Sequence, residues 1–307
     1  MKKFLFNIFV FLCIAAVCDI AVGYAMRQLG RRVRSGQALK NHEIFETASP
    51  DILILGSSRS THHLVPQVLE DSLGMTAYVA GQDGNGIIMM DPLLHYIAGR
   101  HKPKTVIYDL ISSFDYDEDD PHQYLQHLRL LWGNEKYVDS VICEIDPTER
   151  YKLMSQMFRY NSWPLSYVKG CLTMTNEVDR GYTALSGVLQ TDILRIKKPA
   201  PAKPASPLKM KLLREMIDYC GTNHIQLYFT VSPYYHVQPV NDAALVDSIK
   251  KFGGTVLDFT KETGFDNPAY FFDEFHLNQT GATKFTQALT ERLRGGDTER
   301  QLRECGR

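Results

Sequence analysis

The sequence predicts an α/β protein built on a five-stranded parallel sheet, and three observations support this fold class. Five apolar runs are short enough to be buried strands rather than helices. Segments with the spacing of amphipathic helices separate them. Glycines or a serine-proline pair stand where several runs must turn. Because strands alternate with helices, we expect a parallel sheet that helices cover on both faces.

The N-terminal part of this pattern supplies three strands. Residues 51–55 form an apolar run that ends at a Gly-Ser-Ser turn, as expected for a buried strand. Residues 65–73 have helical spacing, and the glycine that follows can end the helix. Residues 76–79 fit a second strand, and residues 87–98 form a strongly apolar helix. Residues 105–110 (TVIYDL) predict the third strand.

The C-terminal part supplies the other two strands. Residues 213–220 lie in a helix that ends at a glycine, and residues 226–231 (QLYFTV) form a strand stopped by Ser-Pro. Residues 243–252 form a helix, residues 255–259 the fifth strand, and residues 281–293 the last helix. The expected arrangement is a flavodoxin-like three-layer α/β/α fold, whose sites lie at the carboxyl ends of the strands.

The N-terminus predicts a transmembrane helix. Lys2 and Lys3 precede an apolar run from Phe4 to Met26, and Asp19 is its one charged residue. A run of about 20 apolar residues can span a bilayer as a helix. A cleaved signal peptide is the alternative, but Val17 is too large for the last position of a cleavage site. We therefore expect an uncleaved anchor over residues 1–26 and a polar stalk over residues 27–50.

The charges that flank the apolar run give conflicting indications of its orientation. Four arginines, at positions 27, 31, 32 and 34, follow the run and outnumber the two lysines before it. The positive-inside tendency alone would keep the C-terminal part in the cytoplasm. A very short N-terminal flank more often behaves as an export signal, and we expect the domain to be extracytoplasmic.

Residues 115–206 interrupt the alternation of strands and helices. They begin with an acidic loop, Asp115 to Asp120, and end with a Pro/Lys-rich run, Lys197 to Pro204, which is an exposed linker by composition. We predict a mostly helical insertion that acts as a lid or substrate-facing cap. The predicted catalytic domain then consists of residues 51–114 and 207–294, and residues 295–307 form a polar tail.

Composition and spacing argue against several classes of function. Lys plus Arg number 34 against 35 Asp plus Glu, so no basic face for nucleic acid is expected. The six cysteines show no CxxC or Cys/His spacing, which disfavours zinc. The acidic loop lacks the glycine and glutamate of a calcium loop, since Asp120 and Gln126 occupy those positions. The glycines after the second strand do not have dinucleotide-binding spacing. We expect neither a metal nor a cofactor.

Two short motifs carry candidate chemistry. Gly56-Ser57-Ser58 follows the first strand, where a serine is exposed beside a helix N-terminus that can offer N–H groups to an oxyanion. Asp273-Glu-Phe-His276 follows the fifth strand, where the aspartate can orient the imidazole toward a serine hydroxyl. Taken alone, a polar turn explains the first motif and a surface Asp/His pair explains the second. Their chain order and shared sheet edge favour a joint site.

Together the two motifs resemble the SGNH or GDSL hydrolase superfamily. Gly56-Ser57-Ser58 stands where that family has Gly-Asp-Ser, and Asp273-Glu-Phe-His276 matches its closing D-x-x-H block, with Leu277-Asn278 also fitting. The resemblance covers roughly residues 51–115 and 207–293. It implies that Ser58 is the nucleophile, that His276 is the base, and that Asp273 orients the base.

The resemblance also implies oxyanion donors, and here the sequence departs from the family. The Ser58 backbone and Gly84, after the second strand, match expected donors, whereas Ser113 stands where the family has asparagine. A hydroxyl donates less predictably than an amide, and losing one oxyanion donor typically costs about 10²–10³ in rate. Asn85 or Asn161 are alternative donors or substrate-binding residues.

The basic side chains after Ser58 allow more than one interpretation. Arg59 either binds an anionic substrate group or braces the turn. His62 and His63 have no second cluster at metal-ligand spacing and are interpreted as polar neighbours of Ser58, one of which could contact substrate.

Three functions follow from these residues. The first is hydrolysis of acyl esters, with O-acetyl groups of envelope carbohydrate as the expected substrate class. The second is transfer of an acyl group to a polysaccharide hydroxyl by the same three residues. The third is a binding protein that kept the fold and lost catalysis, for which Ser113 is the main support. The expected partners are an acylated small molecule or polysaccharide and the membrane.

Overall fold

The computed structural model describes residues 1–173, 178–190, 201–236 and 239–305, with side chains described as far as residue 295. Parts of the predicted insertion, including residues 197–200 of its Pro/Lys-rich end, lie outside the described residues. Two compact units are present. One contains residues 1–47 and 121–177, and we call it the anchor unit. The other contains residues 48–120 and 178–307, and we call it the sheet unit.

Seven strands are present in the described part of the chain, and five of them form the central sheet. They are β1 (Ile52–Gly56), β2 (Ala77–Val79), β3 (Thr105–Asp109), β4 (Val178–Asp179), β5 (Tyr182–Thr183), β6 (Gln226–Val231) and β7 (Thr255–Asp258). The central sheet has the order β2-β1-β3-β6-β7, and all its pairs are parallel. The predicted fold class, an α/β protein with a five-stranded parallel sheet, is confirmed.

The helices of the sheet unit lie between its strands in sequence, except for the last helix, which follows β7. They are α3 (Ser58–His63), α4 (Pro66–Leu73), α5 (Ile87–Arg100), α6 (Ser112–Asp115), α12 (Pro207–Thr222), α13 (Asp242–Lys251) and α14 (Gln279–Cys305). The anchor unit is helical and contains α1 (Lys2–Gly30), α2 (Gly36–His42), α7 (Leu125–Leu128), α8 (Lys136–Ile145), α9 (Glu149–Lys152), α10 (Gln156–Tyr160) and α11 (Pro164–Leu172). A π-helical turn, Glu43–Thr47, and the 3₁₀ turns Pro121–Tyr124, Arg129–Leu131 and Pro268–Tyr270 complete the elements.

The middle of the sheet is buried on both faces, which explains the continuous apolar run of β1. Ile52 and Ile54 belong to a core cluster on one face, packed with residues of α4 and α14. Leu53 and Leu55, which alternate with them, are equally inaccessible to solvent. Because side chains alternate between faces along a strand, burial of both sets requires cover on both sides.

The starts of two helices differ from the predicted boundaries for a local reason. α12 begins at Pro207, six residues before the stretch from which the helix was predicted, because the Ser206 hydroxyl accepts a hydrogen bond from the Lys209 N–H and Pro207 occupies the first turn. α14 begins directly after Asn278, whose side-chain oxygen accepts from the Gly281 N–H at 3.0 Å. Both starts are N-caps, which periodicity of apolar residues does not reveal.

A small hairpin in the sheet unit was not expected from sequence. β4 and β5 pair antiparallel around Arg180 and Gly181, which both have positive φ. The Val79 N–H donates to the Arg180 carbonyl, and a Cβ on Gly181 would lie 1.9 Å from the Val79 carbonyl oxygen. The hairpin therefore covers the edge strand β2. Its strands have two residues each, which is too short for an alternating pattern to appear.

In the anchor unit, α1 is a continuous helix of 29 residues that is long and apolar enough to cross a membrane. A signal sequence would have the same properties. The N-terminal part of α1 is exposed, whereas Met26 packs with Trp163 and Tyr167 in a small core. That residues 115–206 act as a lid stays a prediction.

Candidate active site

The turn after β1 is built so that Ser58 is the first residue of a helix. Gly56 has φ +130°, and a Cβ on it would lie 2.6 Å from the Asp109 carbonyl oxygen of the neighbouring strand. Only glycine fits this close approach of two backbones. Ser57 adopts an extended conformation and α3 begins at Ser58. The helix N-terminus leaves backbone N–H groups directed toward the space beside the Ser58 hydroxyl.

The loop before α14 is ordered by its own hydrogen bonds. The Asn278 side chain caps α14 and donates to the carbonyl groups of Gly187 and Ala269, at 2.9 and 2.8 Å. The Asp273 carboxylate accepts from the Phe275 and His276 N–H groups, both at 2.8 Å. This loop conformation presents the imidazole of His276 at the carboxyl edge of the sheet.

Ser58, His276 and Asp273 form one hydrogen-bonded line. The Ser58 Oγ to His276 Nε2 distance is 2.8 Å, and His276 Nδ1 lies 2.9 Å from Asp273 Oδ2. Burial raises the pKa of Asp273, but hydrogen bonds from His276 and the Phe275 N–H outweigh it, so the net shift is downward. The carboxylate therefore stays ionised and can stabilise a protonated imidazole. This arrangement can remove a proton from the serine hydroxyl.

His63 supports the backbone next to His276. It is fully buried, and its Nε2 accepts from the Leu277 N–H at 3.0 Å, so the ring proton resides on Nδ1. Its ring centroid is 6.1 Å from that of His276. Burial, together with the charges of Arg59, His276 and His62, lowers the pKa of His63 well below 6.5. The sequence placed this histidine beside Ser58, but its role toward Leu277 was not foreseen.

The neutral state of His63 predicts a loss of stability in acid. Because its folded pKa is depressed, the unfolded chain binds the extra proton below about pH 6.5, and the free energy of unfolding falls by about 1.4 kcal/mol per pH unit. A His63→Gln variant keeps an acceptor for Leu277 but does not titrate. Between pH 7 and 5.5 it should lose about 1 kcal/mol less than the parent chain. Urea unfolding at both pH values measures this difference.

Comparing the two proteins is necessary because other groups also titrate in this range. Burial lowers the pKa of His127 to about 4, which adds a further loss of stability below pH 6.5. Burial raises the pKa of Asp115 to about 6, which acts in the opposite sense, since stability is then lost as pH rises toward 6. These contributions are common to both proteins and cancel in the difference. Equal pH dependence of the two proteins would contradict the assignment to His63.

His62 joins three elements of the site. Its Nδ1 lies 2.7 Å from the Thr183 carbonyl oxygen in β5, and its Nε2 lies 3.3 Å from Asp83 Oδ2 in the loop after β2. Both partners are hydrogen-bond acceptors, so His62 bonds to each of them as a donor. The His62 ring centroid is 6.0 Å from that of His276. His62 therefore connects α3 to the loop that carries Gly84.

The loop after β2 is held against the turn after β3. Gly84 is exposed with φ +71°, and a Cβ on it would meet nothing within 4 Å. At Gly86, by contrast, a Cβ would lie 2.5 Å from the Phe114 carbonyl oxygen. Asp115 accepts from the Ile87 N–H at 2.9 Å, which ties the start of α5 to this turn. Gly84 follows β2 and Ser113 follows β3, the two strands that flank β1 in the sheet.

The other site residues predicted from the sequence, Ser113, Asn85 and Asn161, lie in three different places. Ser113 is exposed in α6, and Asn85 is buried with its Nδ2 bonded to the Asp83 carbonyl oxygen at 3.0 Å. Asn161 is exposed in the anchor unit, where its Oδ1 accepts from Ser162. The structure joins the Ser58, Asp273 and His276 side chains, while that of Asn85 bonds within its own loop.

Arg59 points into the protein. Its Nε lies 3.1 Å from Asp109 Oδ1, its Nη2 donates to the Leu110 carbonyl oxygen, and its guanidinium stacks over the Tyr234 ring at 4.6 Å. Burial raises the pKa of Asp109, while Arg59 and the Thr230 and Ser232 hydroxyls act against that rise. Of the two roles left open by the sequence, these buried contacts favour bracing of the turn.

A cavity of about 260 Å³ opens at the carboxyl ends of β6 and β7. It is lined by Tyr234, Tyr235, His236, Thr260, Lys261, Phe265 and Asp266. The Tyr235 N–H donates to the Glu274 carbonyl oxygen at 3.1 Å, so the cavity adjoins the loop of Asp273. The sequence analysis did not predict this cavity, because its lining comes from two loops, one after β6 and one after β7. Within the described residues, no cluster of three or more potential metal ligands occurs.

Comparison with known proteins adds little to this geometry. The sequence matches no protein-family model and no curated protein. Among solved structures, it is similar to a proposed acylhydrolase from Bacteroides fragilis, with a TM-score of 0.39 and 12% identity. The similarity covers 84% of this chain and 97% of the other. At this TM-score the likeness does not bear on the activity.

Proposed function

We propose that this chain is an SGNH-type serine hydrolase that acts on acyl esters, with O-acetyl groups of envelope carbohydrate as the substrate class. The observation that carries the proposal is the line from Ser58 Oγ to His276 Nε2, at 2.8 Å, and from His276 Nδ1 to Asp273, at 2.9 Å. Ser58 and His276 are 218 residues apart in the sequence, yet their side chains are hydrogen-bonded. This contact favours a catalytic role for Ser58 over the alternative that it is only part of a polar turn.

The proposed reaction has two steps. Ser58 Oγ attacks the acyl carbonyl carbon while His276 Nε2 takes the hydroxyl proton, and Asp273 stabilises the imidazolium that forms. The leaving alcohol takes that proton as the carbon–oxygen bond breaks. Water then attacks the acyl-serine by the same route and releases the acid. The Ser58 and Gly84 N–H groups, with the Ser113 hydroxyl, are the proposed oxyanion donors.

Acyl transfer is the second candidate, and the cavity beside Tyr235 favours it. In transfer, a sugar hydroxyl replaces water as the nucleophile that attacks the acyl-serine. The cavity adjoins the loop of Asp273 and combines aromatic rings with polar groups, which suits a sugar.

The first experiment tests for a reactive serine. The purified full chain in detergent is treated with a fluorophosphonate probe, and the modified peptide is identified by mass. We expect labelling at Ser58, none in Ser58→Ala, and undiminished labelling in Ser57→Ala, the matched control one residue away. An unlabelled parent chain would favour the third function, a binding protein without catalysis.

A second experiment separates hydrolysis from transfer. The chain is incubated with an acetyl ester, with and without an oligosaccharide acceptor, and both free acetate and acceptor mass are measured. Hydrolysis predicts acetate release that the acceptor does not change. Transfer predicts an acceptor heavier by one acetyl group and less free acetate.

The loop that carries Gly84 gives a prediction about the oxyanion donors. Gly86→Ala should lower kcat about 10²-fold, because its Cβ must displace the Phe114 carbonyl and shift the Gly84 N–H. In Gly84→Ala the new Cβ contacts no neighbour, and the only cost is the backbone strain of φ +71°. The decrease in kcat should therefore be smaller than in Gly86→Ala. Steady-state hydrolysis of an acetyl ester measures both. Equal losses in the two variants would count against a donor in this loop.

We also propose that α1 anchors the chain in a membrane, with the catalytic domain on the extracytoplasmic side. The length and mean hydropathy of α1 support the anchor. If α1 is not cleaved, alkaline extraction should leave the protein in the membrane fraction. N-terminal sequencing should then show that residues 1–26 are still present. Protease added to intact spheroplasts should digest the catalytic domain, whereas protection would indicate the opposite orientation.

A further inference from the structure

The helix α1 has two parts with different surroundings. Every residue from Met1 to Cys18 is exposed, and most of these residues are large and apolar. From Asp19 onward the helix is increasingly covered, with Gly23, Met26 and Gly30 buried. Only the first part has the uniformly exposed apolar surface of a membrane-embedded helix.

Asp19 marks the boundary and binds the anchor unit. Its carboxylate accepts hydrogen bonds from the Ser155 hydroxyl at 2.6 Å and from the Gln156 and Met157 N–H groups, both at 2.8 Å. One helical turn later, Gly23 packs so closely on Gln156 that a Cβ there would lie 2.7 Å from its side chain. The start of α10 is therefore fixed at the level of Asp19.

The length of the exposed part agrees with a bilayer boundary at Asp19. Residues 4–18 extend about 22 Å at about 1.5 Å per residue, and the long side chains of Lys2 and Lys3 can reach the opposite headgroups of a bilayer whose hydrocarbon is roughly 30 Å thick. If these residues are embedded, Asp19 lies near the membrane surface. Residues bonded to Asp19 must then lie there too.

The chain beside Asp19 has the composition of a membrane interface. Tyr151, Met154 and Met157 are 64%, 77% and 51% exposed, which is unusual for side chains of this size and polarity. The Arg150 guanidinium stacks over the Tyr151 ring at 4.7 Å. Tyrosine and arginine side chains combine an apolar part with a polar end. They suit the headgroup region, where the apolar part can contact lipid and the polar end can contact water.

We propose that residues 150–157 form a second membrane contact, in which Tyr151, Met154 and Met157 insert into the headgroup region of the bilayer that α1 enters. We call these three side chains the interfacial patch. The proposal rests on the proposed anchoring of α1. The bilayer is the occupant because residues 155–157, beside the patch, bind Asp19, the residue at which the exposed apolar part of α1 ends. The anchor unit would then be held at a fixed depth and orientation against the membrane.

The experiment measures the surroundings of single introduced tryptophans. The full chain is reconstituted in phospholipid vesicles as Met154→Trp, Met157→Trp, Phe9→Trp and Leu165→Trp variants. Phe9 lies within the exposed part of α1 and tests the anchor. Leu165 is 85% exposed in α11, whose Tyr167 packs on Gly30, about 16 Å along α1 from Asp19, and serves as the matched control. Emission of the parent chain, which contains Trp132 and Trp163, is subtracted.

Two quenchers then report membrane and water separately. Lipids brominated near the glycerol end of the acyl chains quench tryptophan in the headgroup region, and aqueous iodide quenches tryptophan in water. We expect the added emission of Met154→Trp and Met157→Trp to be shifted to shorter wavelength, strongly quenched by the brominated lipid and little affected by iodide. Leu165→Trp should show the reverse.

The controls distinguish two kinds of failure. If Phe9→Trp is quenched by lipid brominated near the bilayer centre but Met154→Trp and Met157→Trp respond only to iodide, the anchor stands and the interfacial patch is overturned. If Phe9→Trp is also quenched by iodide alone, the anchoring proposal fails and the patch fails with it.

Discussion

Replacing His276 with alanine should lower kcat/KM for acetyl-ester hydrolysis by at least about 10³-fold. His276 Nε2 lies 2.8 Å from Ser58 Oγ, and its removal takes away the group that is positioned to accept the hydroxyl proton and to protonate the leaving alcohol. Binding of substrate does not depend on that proton, so the loss should appear in kcat and leave KM nearly unchanged. Fluorophosphonate labelling of Ser58 should slow in parallel.

A companion change at Asp273 tests the other end of the line. Asp273→Asn keeps the size of the side chain but removes the charge that stabilises a protonated His276, so a loss of about 10²–10⁴-fold is expected. Glu274→Gln, one residue along the loop, is the matched control, because it also exchanges a carboxylate for an amide and keeps the Glu274 carbonyl that accepts from Tyr235. A His276→Ala protein with more than about a tenth of parent activity would be incompatible with general-base catalysis.

Replacing Arg59 with methionine should cost about 3–5 kcal/mol of unfolding free energy, because it leaves the buried Asp109 without its cation. Asp109 is fully buried near Asp242, and the negative charge of Asp242 adds to the penalty. The cost should be lower at acidic pH, where Asp109 can take up a proton. Urea unfolding of the full chain at two pH values measures it.

A double variant separates the ion pair from packing. Arg59→Met combined with Asp109→Leu removes both charges and should be less destabilised than the sum of the two single changes. Simple additivity would indicate that the cost arises from lost volume rather than from an unpaired charge.

The central sheet was predictable because β1, β2 and β3 are buried along their whole length and β6 over its last four residues. Such strands form short apolar runs, and their order along the chain already implies parallel pairing. The positions of Ser58 and His276 followed from the same logic, since Ser58 comes directly after β1 and His276 lies in the long loop that follows β7. Parallel strands bring their carboxyl ends to one edge of the sheet.

Other features depend on contacts between distant residues, which no local pattern reports. Arg59 has the same sequence context whether it faces solvent or Asp109, and only the approach of β1 and β3 decides between them. His63 Nε2 accepts a hydrogen bond from the Leu277 N–H, although the two residues are 214 positions apart in the sequence. Asp19 was expected to lie inside the predicted transmembrane anchor. In the structure its carboxylate accepts hydrogen bonds from residues 155–157.

The separation of Ser58 and His276 along the chain affects when the site can form. They are 218 residues apart, and their contact depends on α14, where the Thr286 hydroxyl donates to the His63 carbonyl oxygen at 3.1 Å. Closing so long a loop is a late and slow event in folding. Until α14 docks, Ser58 therefore lacks its partner His276. The hydrogen-bonded line of the site can form only after the C-terminal helix is in place.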